Sequence, residues 1–378
     1  MRITCISAST VPSSTANSIQ VMKACQALVQ LGHEVTLLVP KNMQPKKDLK
    51  TYYGLVTDFE VEWLPASLRL HRYDLGWRAV RRARVLKAEL VYTWLPQAGL
   101  FALLHGLPLA IELHGPPEGR FGPSLFRLLL RLPGEKRLLP ITQALVDLLW
   151  QRGIPLDRQA GHIATVISPN GIDLERYADL PEPPAARRRL GLPEAPTAGY
   201  TGHLYAGRGT ALLVELARRQ PQVQFLWVGG REAEVQNWRT RLQSEGISNI
   251  HLTGFVENSQ LPLYQAAADV LLMPYERAIA GSSGGDSAAY ASPMKMFEYM
   301  ACRRPILSSD LPVIREVLNE TNAILLPPEE AGAWAENLSR LLGDADLRHK
   351  LAAQAWQDVQ PHTWIERARR ALANFPTR

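Results

Sequence analysis

Near the end of the chain, the stretch GGDSAAYASPMKMFEYMA (284–301) sets one lysine, Lys295, and one glutamate, Glu298, three residues apart. On a helix that spacing puts both side chains on one face. The glycines permit a tight loop ahead of it, and Pro293 suits the first turn of a helix. A solvated Lys–Glu pair is one reading. The neighbours argue for another, because Met294, Met296, Phe297, Tyr299 and Met300 make the helix mostly buried. A charged pair at the end of a buried helix faces a ligand. An ammonium and first-turn amides suit a diphosphate, and a carboxylate suits a ribose diol.

Three other places carry candidate chemistry. TGHLYAGRG (201–209) is a glycine-rich strand exit that runs into the helix TALLVELARR, with Arg208 at the helix entrance. A guanidinium there either binds phosphate in a fork or lies on the surface, and His203 is a second candidate in the same loop. His114 closes the strand of ELHGPP, where a glycine and two prolines make the exit rigid; it is a ligand contact or a structural histidine. Residues 9–17 precede the first helix. There Ser14, Thr15 and Asn17 either contact a phosphate or an acceptor, or only cap the helix.

These residues need elements to hold them. ITCISA, the helical run IQVMKACQALVQLG and EVTLLVP form a βαβ unit, which implies a parallel sheet. In the helix Ile19, Met22, Cys25 and Val29 share a face, and Gly32 stands at the C-cap. Strands are expected at 89–95, 109–115 and 138–142, and 164–173 reads as a strand followed by an Asn-Gly turn. LPEPPAARRRLGLPEAP (180–196), with five prolines and three consecutive arginines, reads as an interdomain linker. A second alternation follows, with strands at 197–204, 223–230, 249–256, 269–275, 305–310 and 323–328. Two doubly wound α/β domains are expected, with ligands beyond the carboxyl ends of their strands and the natural site in a cleft between them.

Composition narrows the class. The chain has 378 residues, 46% hydrophobic and 21% charged, enough for two cores. Cys5, Cys25 and Cys302 show neither disulfide nor metal spacing, so a reducing cytoplasm is expected. No signal peptide is read at the N-terminus, and the uncharged run 90–111 is too broken by proline and glycine to span a membrane. Net charge is +6 but uneven: residues 1–165 carry 20 Lys+Arg against 12 Asp+Glu. The excess lies in 69–87 and 126–137, either as solvated helix faces or as a surface for an anionic lipid or acceptor. No nucleic-acid module accompanies it, so nucleic acid is not an expected partner.

Taken in order, GHEVTLLVP, ELHG, ISPNGID, GHLYAGRG, FLWVGG, HLTGFV, DVLLMPY, SPMKMFEYMACRRPILSSD and HTWIERA resemble the retaining glycosyltransferases of family 4 over nearly the whole chain. The resemblance implies a GT-B fold, two doubly wound Rossmann-like domains facing each other across a cleft. It implies an acceptor-binding domain at 1–180, with 363–378 crossing back to it, and a nucleotide-sugar-binding domain at 197–362. By the same resemblance Arg208 contacts the donor diphosphate with Lys295, Glu298 binds the ribose, and His114 lies near the donor sugar. The backbone at Val256 reads the nucleobase, and Pro293 and Met294 open the donor-binding helix beside His203. Three features depart from the family pattern: Tyr290 stands where the first of its paired glutamates falls, His203 replaces an arginine, and the first loop lacks the glycine pair seen in many members.

The implied activity is sugar transfer from a nucleotide-diphosphate donor, UDP-sugar favoured, to an acceptor hydroxyl with retention. It needs no cofactor and no metal. A sugar-nucleotide epimerase of the same architecture and a non-catalytic nucleotide-sugar binder are the alternatives. Expected partners are the nucleotide-sugar donor, a glycan, lipid-linked or small-molecule acceptor, and an anionic membrane surface. The expected location is cytoplasmic, peripheral on the inner face of the membrane.

Overall fold

A computed structural model describes residues 1–42, 48–156, 163–278 and 287–375. Gly284 and Gly285, the glycines of the expected tight loop before Pro293, lie outside them. The chain divides into two compact units: Met1–Asn170 together with the segment from Trp364 onward, and Gly171–Thr363.

The first unit is built on a seven-stranded parallel sheet. Its strands are β1 (Arg2–Ile6), β2 (Glu34–Pro40), β3 (Glu60–Leu64), β4 (Leu90–Thr93), β5 (Leu109–Leu113), β6 (Lys136–Pro140) and β7 (Ile163–Thr165). They run in the order β3-β2-β1-β4-β5-β6-β7. β4 and β5 are buried along their whole length, as strands covered on both faces must be. β3 is the edge strand and is only half-buried. The strand read at the start of 164–173 is β7, which ends at Thr165.

The second unit holds a six-stranded parallel sheet of β8 (Thr197–Thr201), β9 (Gln224–Val228), β10 (Ile250–Gly254), β11 (Val270–Met273), β12 (Ile306–Ser309) and β13 (Ile324–Leu326). Their order is β10-β9-β8-β11-β12-β13. Trp227, Phe225 and Trp334 anchor its core, and the Trp334 indole donates to the Pro327 carbonyl at 2.9 Å.

In both sheets the winding direction reverses at one place, between β1 and β4 and between β8 and β11. Loops leaving neighbouring strands diverge there and leave a crevice at their carboxyl ends.

The segment 180–196, expected as a linker, belongs to the second unit. It forms the helix Pro183–Leu190, closed by Gly191 in the left-handed region. Arg187 fastens it, donating to the Ala267 carbonyl and to Asp269, each at 2.9 Å. Prolines at the first turn start a helix as readily as they punctuate a linker. The helix Trp364–Leu372 packs on the helix Ala16–Gln30 of the first unit. Among the described residues, no helix is long and apolar enough to cross a membrane.

Candidate functional site

In the second unit the predicted cations gather at the switch between β8 and β11. The loop after β8 is drawn against the loop after β11. The Glu276 amide donates to the Gly207 carbonyl, and the Gly209 amide to the Glu276 carboxylate, each at 3.2 Å. Gly209 adopts φ +71°, and a Cβ there would stand 1.7 Å from the Pro274 carbonyl oxygen. Only glycine fits so close an approach. It sets the preceding residue, Arg208, beside Tyr205 and Tyr275, with ring centroids 4.9 and 5.3 Å from the guanidinium carbon. The guanidinium also donates to the Tyr205 hydroxyl at 2.8 Å.

Lys295 reaches the same place from the helix Met294–Ala301. Its ammonium lies 4.1 Å from the Tyr200 ring centroid and 5.1 Å from that of Tyr275. A Cβ at Gly202 would stand 2.9 Å from Lys295 Nζ, which places the lysine's tip against the strand exit. Ring faces hold cations without cancelling their charge. Burial, and then the neighbouring Arg208, push the Lys295 ammonium well below the usual lysine range, with Glu298 opposing. An anion arriving here meets two cations that repel each other in its absence.

Glu298 shares that helix, but among the described residues no ion pair joins it to Lys295. Its carboxylate accepts from the Gln265 amide at 3.0 Å. Gln265, wholly buried, is oriented by the Tyr177 hydroxyl, which donates to its carbonyl oxygen at 3.0 Å. Burial raises the Glu298 carboxyl, against Arg176, Gln265 and Lys295, which lower it. The Tyr299 hydroxyl accepts from the Thr201 amide at 2.8 Å and so fixes the helix to the end of β8. Pro293 stands one residue ahead of the helix, at its cap rather than in its first turn, and is half-buried with Met294. The His203 ring stacks on Tyr205 with centroids 5.1 Å apart; burial and Arg208 lower its pKa. Val256 is half-buried, two residues beyond β10.

The first unit has its own constellation at the exit of β5. His114 is half-buried, and its Nε2 lies 2.7 Å from Glu112 Oε2. Glu112 is fully buried and paired with Arg367. At the exit of β1, Thr15 takes the capping role, its hydroxyl accepting from the Ser18 amide at 3.4 Å. Ser14 and Asn17 are exposed. Side chains from elsewhere in the unit hold this loop in shape. Tyr53 accepts from the Ser13 amide at 2.7 Å, Trp63 and Asn42 donate to the Val11 carbonyl at 2.9 and 2.7 Å, and Arg72 donates to the Ala8 carbonyl at 2.9 Å.

Two family models match the chain and between them cover most of it: Glycosyltransferase Family 4 over residues 18–176, and Glycosyl transferases group 1 over residues 195–344. The chain belongs to the family 4 glycosyltransferases. It is 28% identical to a D-inositol 3-phosphate glycosyltransferase of Xylanimonas cellulosilytica, over 63% of this chain and 58% of that relative's length. It is 24% identical to the putative teichuronic acid biosynthesis glycosyltransferase TuaC of Bacillus subtilis, over 89% of this chain and 87% of the relative. Among solved structures, Anabaena HepE in complex with UDP and glucose superposes with a TM-score of 0.74 at 17% identity, covering 99% and 100% of the two chains. The fold is therefore that of the GT-B glycosyltransferases.

As a family 4 glycosyltransferase, this chain supplements the residues expected from its motifs with a polar frame. Tyr200, Tyr205 and Tyr275 frame the cations, Gln265 and Tyr177 orient Glu298, and Glu112 and Arg367 stand behind His114. Tyr200 sits in a strand and reads as core. Glu112 did carry a signal, as the one charge within the apolar run LAIEL. Tyr290, at the position of the family's first paired glutamate, is half-buried in a turn. Among the described residues, no group of three or more His, Cys, Asp or Glu is placed to hold a metal ion.

Proposed function

We propose that this glycosyltransferase moves a hexosyl group from a nucleoside diphosphate sugar, a UDP-sugar by preference, to an acceptor hydroxyl with retention of configuration. One observation carries the reading: Arg208 and Lys295 converge at the β8–β11 switch, both against tyrosine rings. As the anomeric carbon–oxygen bond breaks, negative charge grows on the leaving diphosphate. Two cations and the amides opening the helix Met294–Ala301 stabilise that charge where it develops. The acceptor oxygen bonds the anomeric carbon on the face being vacated, and its proton passes to the departing phosphate. No protein base is required. Glu298 takes the ribose hydroxyls, Val256 lies along the base, and His114 orients the donor sugar. The HepE complex with UDP and glucose supports UDP as the nucleotide.

The test is incubation with a panel of nucleotide sugars and acceptors, reading released nucleoside diphosphate and the anomeric configuration of the product. Transfer with retention supports the proposal. Interconverted donor sugars would make the protein an epimerase, and neither outcome a binding protein. The phosphate clamp supplies its charge from side chains, so the rate is expected to persist in EDTA. A rate lost to chelation and restored by Mn²⁺ would overturn metal independence.

We further propose that the acceptor is presented at an anionic membrane. The helix Tyr73–Val85 exposes Trp77, Val85, Arg78, Arg81 and Arg84, and the Arg81 guanidinium carbon lies 4.7 Å from the Trp77 ring centroid. Leu68 and Leu70, just before it, are exposed as well. Arg82 is excluded from this face, because it makes a two-pronged pair with Glu62 at 2.6 and 2.7 Å. Each basic residue near an anionic leaflet adds roughly 1 kcal/mol. Salt screens that attraction over a Debye length of about 10 Å at ~0.1 M. Co-sedimentation with anionic vesicles is expected at low salt, fading as salt rises and reduced by charge reversal at Arg78, Arg81 and Arg84. Absence of binding at low salt, with full activity on a soluble acceptor, would reject the membrane.

A further inference from the structure

The Glu112 carboxylate is the centre of a closed hydrogen-bonded hub. β5 is buried at all five positions, so a charge in it must be met by donors. Among the described residues, four meet it. Arg367 makes a two-pronged contact at 2.6 and 2.8 Å, Gln20 donates at 2.8 Å, the Tyr92 hydroxyl donates to Oε1, and His114 Nε2 lies 2.7 Å from Oε2. Arg367 is itself saturated. Its remaining N–H groups go to the carbonyls of Pro169 at 2.8 Å and Ser168 at 3.1 Å, and to the Tyr92 hydroxyl at 3.3 Å. All five guanidinium donors are thereby engaged, and none is left for a ligand.

His114 is the one member of the hub that lies at the strand's exit and is half-exposed. It follows Glu112 by two residues, so both side chains leave the same face of the strand. Burial pushes the Glu112 carboxyl up, but Arg367 and then His114 outweigh it and hold the group well below the usual carboxylate range. An ionised carboxylate only accepts hydrogen bonds. The proton on the neutral His114 ring must then sit on Nε2, which leaves Nδ1 with its lone pair.

We propose that Glu112, held by Arg367 of the C-terminal helix, is a positioning residue that fixes the tautomer and ring plane of His114 so that Nδ1 faces the substrate as a hydrogen-bond acceptor. The inference rests on the reading of His114 as a donor-sugar contact. It gives the C-terminal helix a part in the chemistry, since Arg367 comes from it. A carboxylate–arginine pair that merely tied this helix to the sheet would account for Arg367 but would place no demand on His114.

The test combines ¹⁵N NMR of histidine-labelled full-length protein with steady-state kinetics. In the wild type the neutral His114 ring is expected to show a protonated Nε2 and an unprotonated Nδ1. In Glu112→Gln the side-chain amide can donate, and the ring is expected to swing to the opposite tautomer. With it kcat should fall about 10- to 100-fold, as when partners that orient a functional histidine are removed, while the donor KM changes less than about 3-fold. The double variant Glu112→Leu/Arg367→Met removes the buried pair as a unit, an exchange that folded proteins tolerate. It strands the Tyr92 hydroxyl, the Gln20 amide and two carbonyls, which lowers its melting temperature, and it should show the same loss in kcat when assayed well below that temperature. A wild-type ring protonated on Nδ1 would overturn the proposal without any variant. So would normal kcat in Glu112→Gln when His114→Ala is impaired. Normal kcat in His114→Ala would instead overturn the parent reading of His114, whatever the tautomer.

Discussion

Lys295→Met is expected to raise the melting temperature of the ligand-free protein and to lower kcat by about 10²- to 10³-fold, the usual cost of removing one group that stabilises transition-state charge. The two effects share a cause. Lys295 sits among Tyr200, Tyr275 and Gly202 with Arg208 nearby, and burial followed by Arg208 depresses its pKa below 10.5. A lysine whose folded pKa is depressed binds fewer protons in the native state than in the unfolded one. Stability then rises with pH between the folded value and 10.5, and below that window the charged lysine costs stability in full. The thermal advantage of Lys295→Met should therefore be largest below the folded value and shrink as pH rises from there to 10.5. Scanning calorimetry across that range reads it directly. A melting temperature lowered at every pH would mean that Lys295 is a structural stem and not a charge held ready for a ligand. A bound diphosphate favours the charged lysine, so at pH values between the depressed value and 10.5 its binding should take up protons in titrations run in buffers of different ionisation enthalpy. Arg208→Ala should match the loss in kcat, and near-normal turnover in both variants would dissolve the phosphate clamp.

What could be read in the sequence follows from what local pattern encodes. Strands buried on both faces are continuous apolar runs, and Leu90–Thr93 and Leu109–Leu113 stood out as such. β3 did not, because EVEWL carries two glutamates on an edge strand that is only half-covered. The segment 180–196 was misread for a related reason. Its prolines mark the start of a helix, and what makes it part of a unit is the bond from Arg187 to Asp269, 82 residues away. The candidate site divides in the same way. Arg208, Lys295 and His114 lie at strand exits or helix starts, where position alone singles them out, and Glu298 is marked by its spacing from Lys295 on a helix of apolar neighbours. Tyr275, Gln265 and Arg367 act through partners set far off along the chain, and no local spacing announces those contacts. Glu112 is the intermediate case: its charge in a buried strand demands a partner, but only the fold supplies Arg367.

Glu298→Gln is expected to separate binding from folding on the same helix. Burial raises the Glu298 carboxyl above its ordinary value of 4.5 against the pull of Arg176, Gln265 and Lys295. For a carboxyl raised in the folded state the native protein binds more protons than the unfolded one. Stability then falls as pH rises from 4.5 through the folded value, and above it the ionised group costs stability in full. The glutamine variant escapes that cost, so its ligand-free melting temperature should equal or exceed the wild type at neutral pH and lose that advantage toward pH 4.5. Donor binding should move the other way. A hydrogen bond to a charged group contributes about 1.5–3 kcal/mol, so loss of the carboxylate should weaken nucleoside diphosphate binding roughly 10- to 100-fold. The loss should depend on the diol. The wild type is expected to prefer UDP to its 2′,3′-dideoxy analogue by a similar factor, and Glu298→Gln to bind the two alike. Calorimetric titration of both proteins with both nucleotides supplies the comparison. An undiminished preference for the ribose in the variant would move diol recognition to another residue. A variant destabilised without ligand at pH 7 would show that Glu298 holds the helix to Gln265 and Tyr177 rather than waiting for the donor.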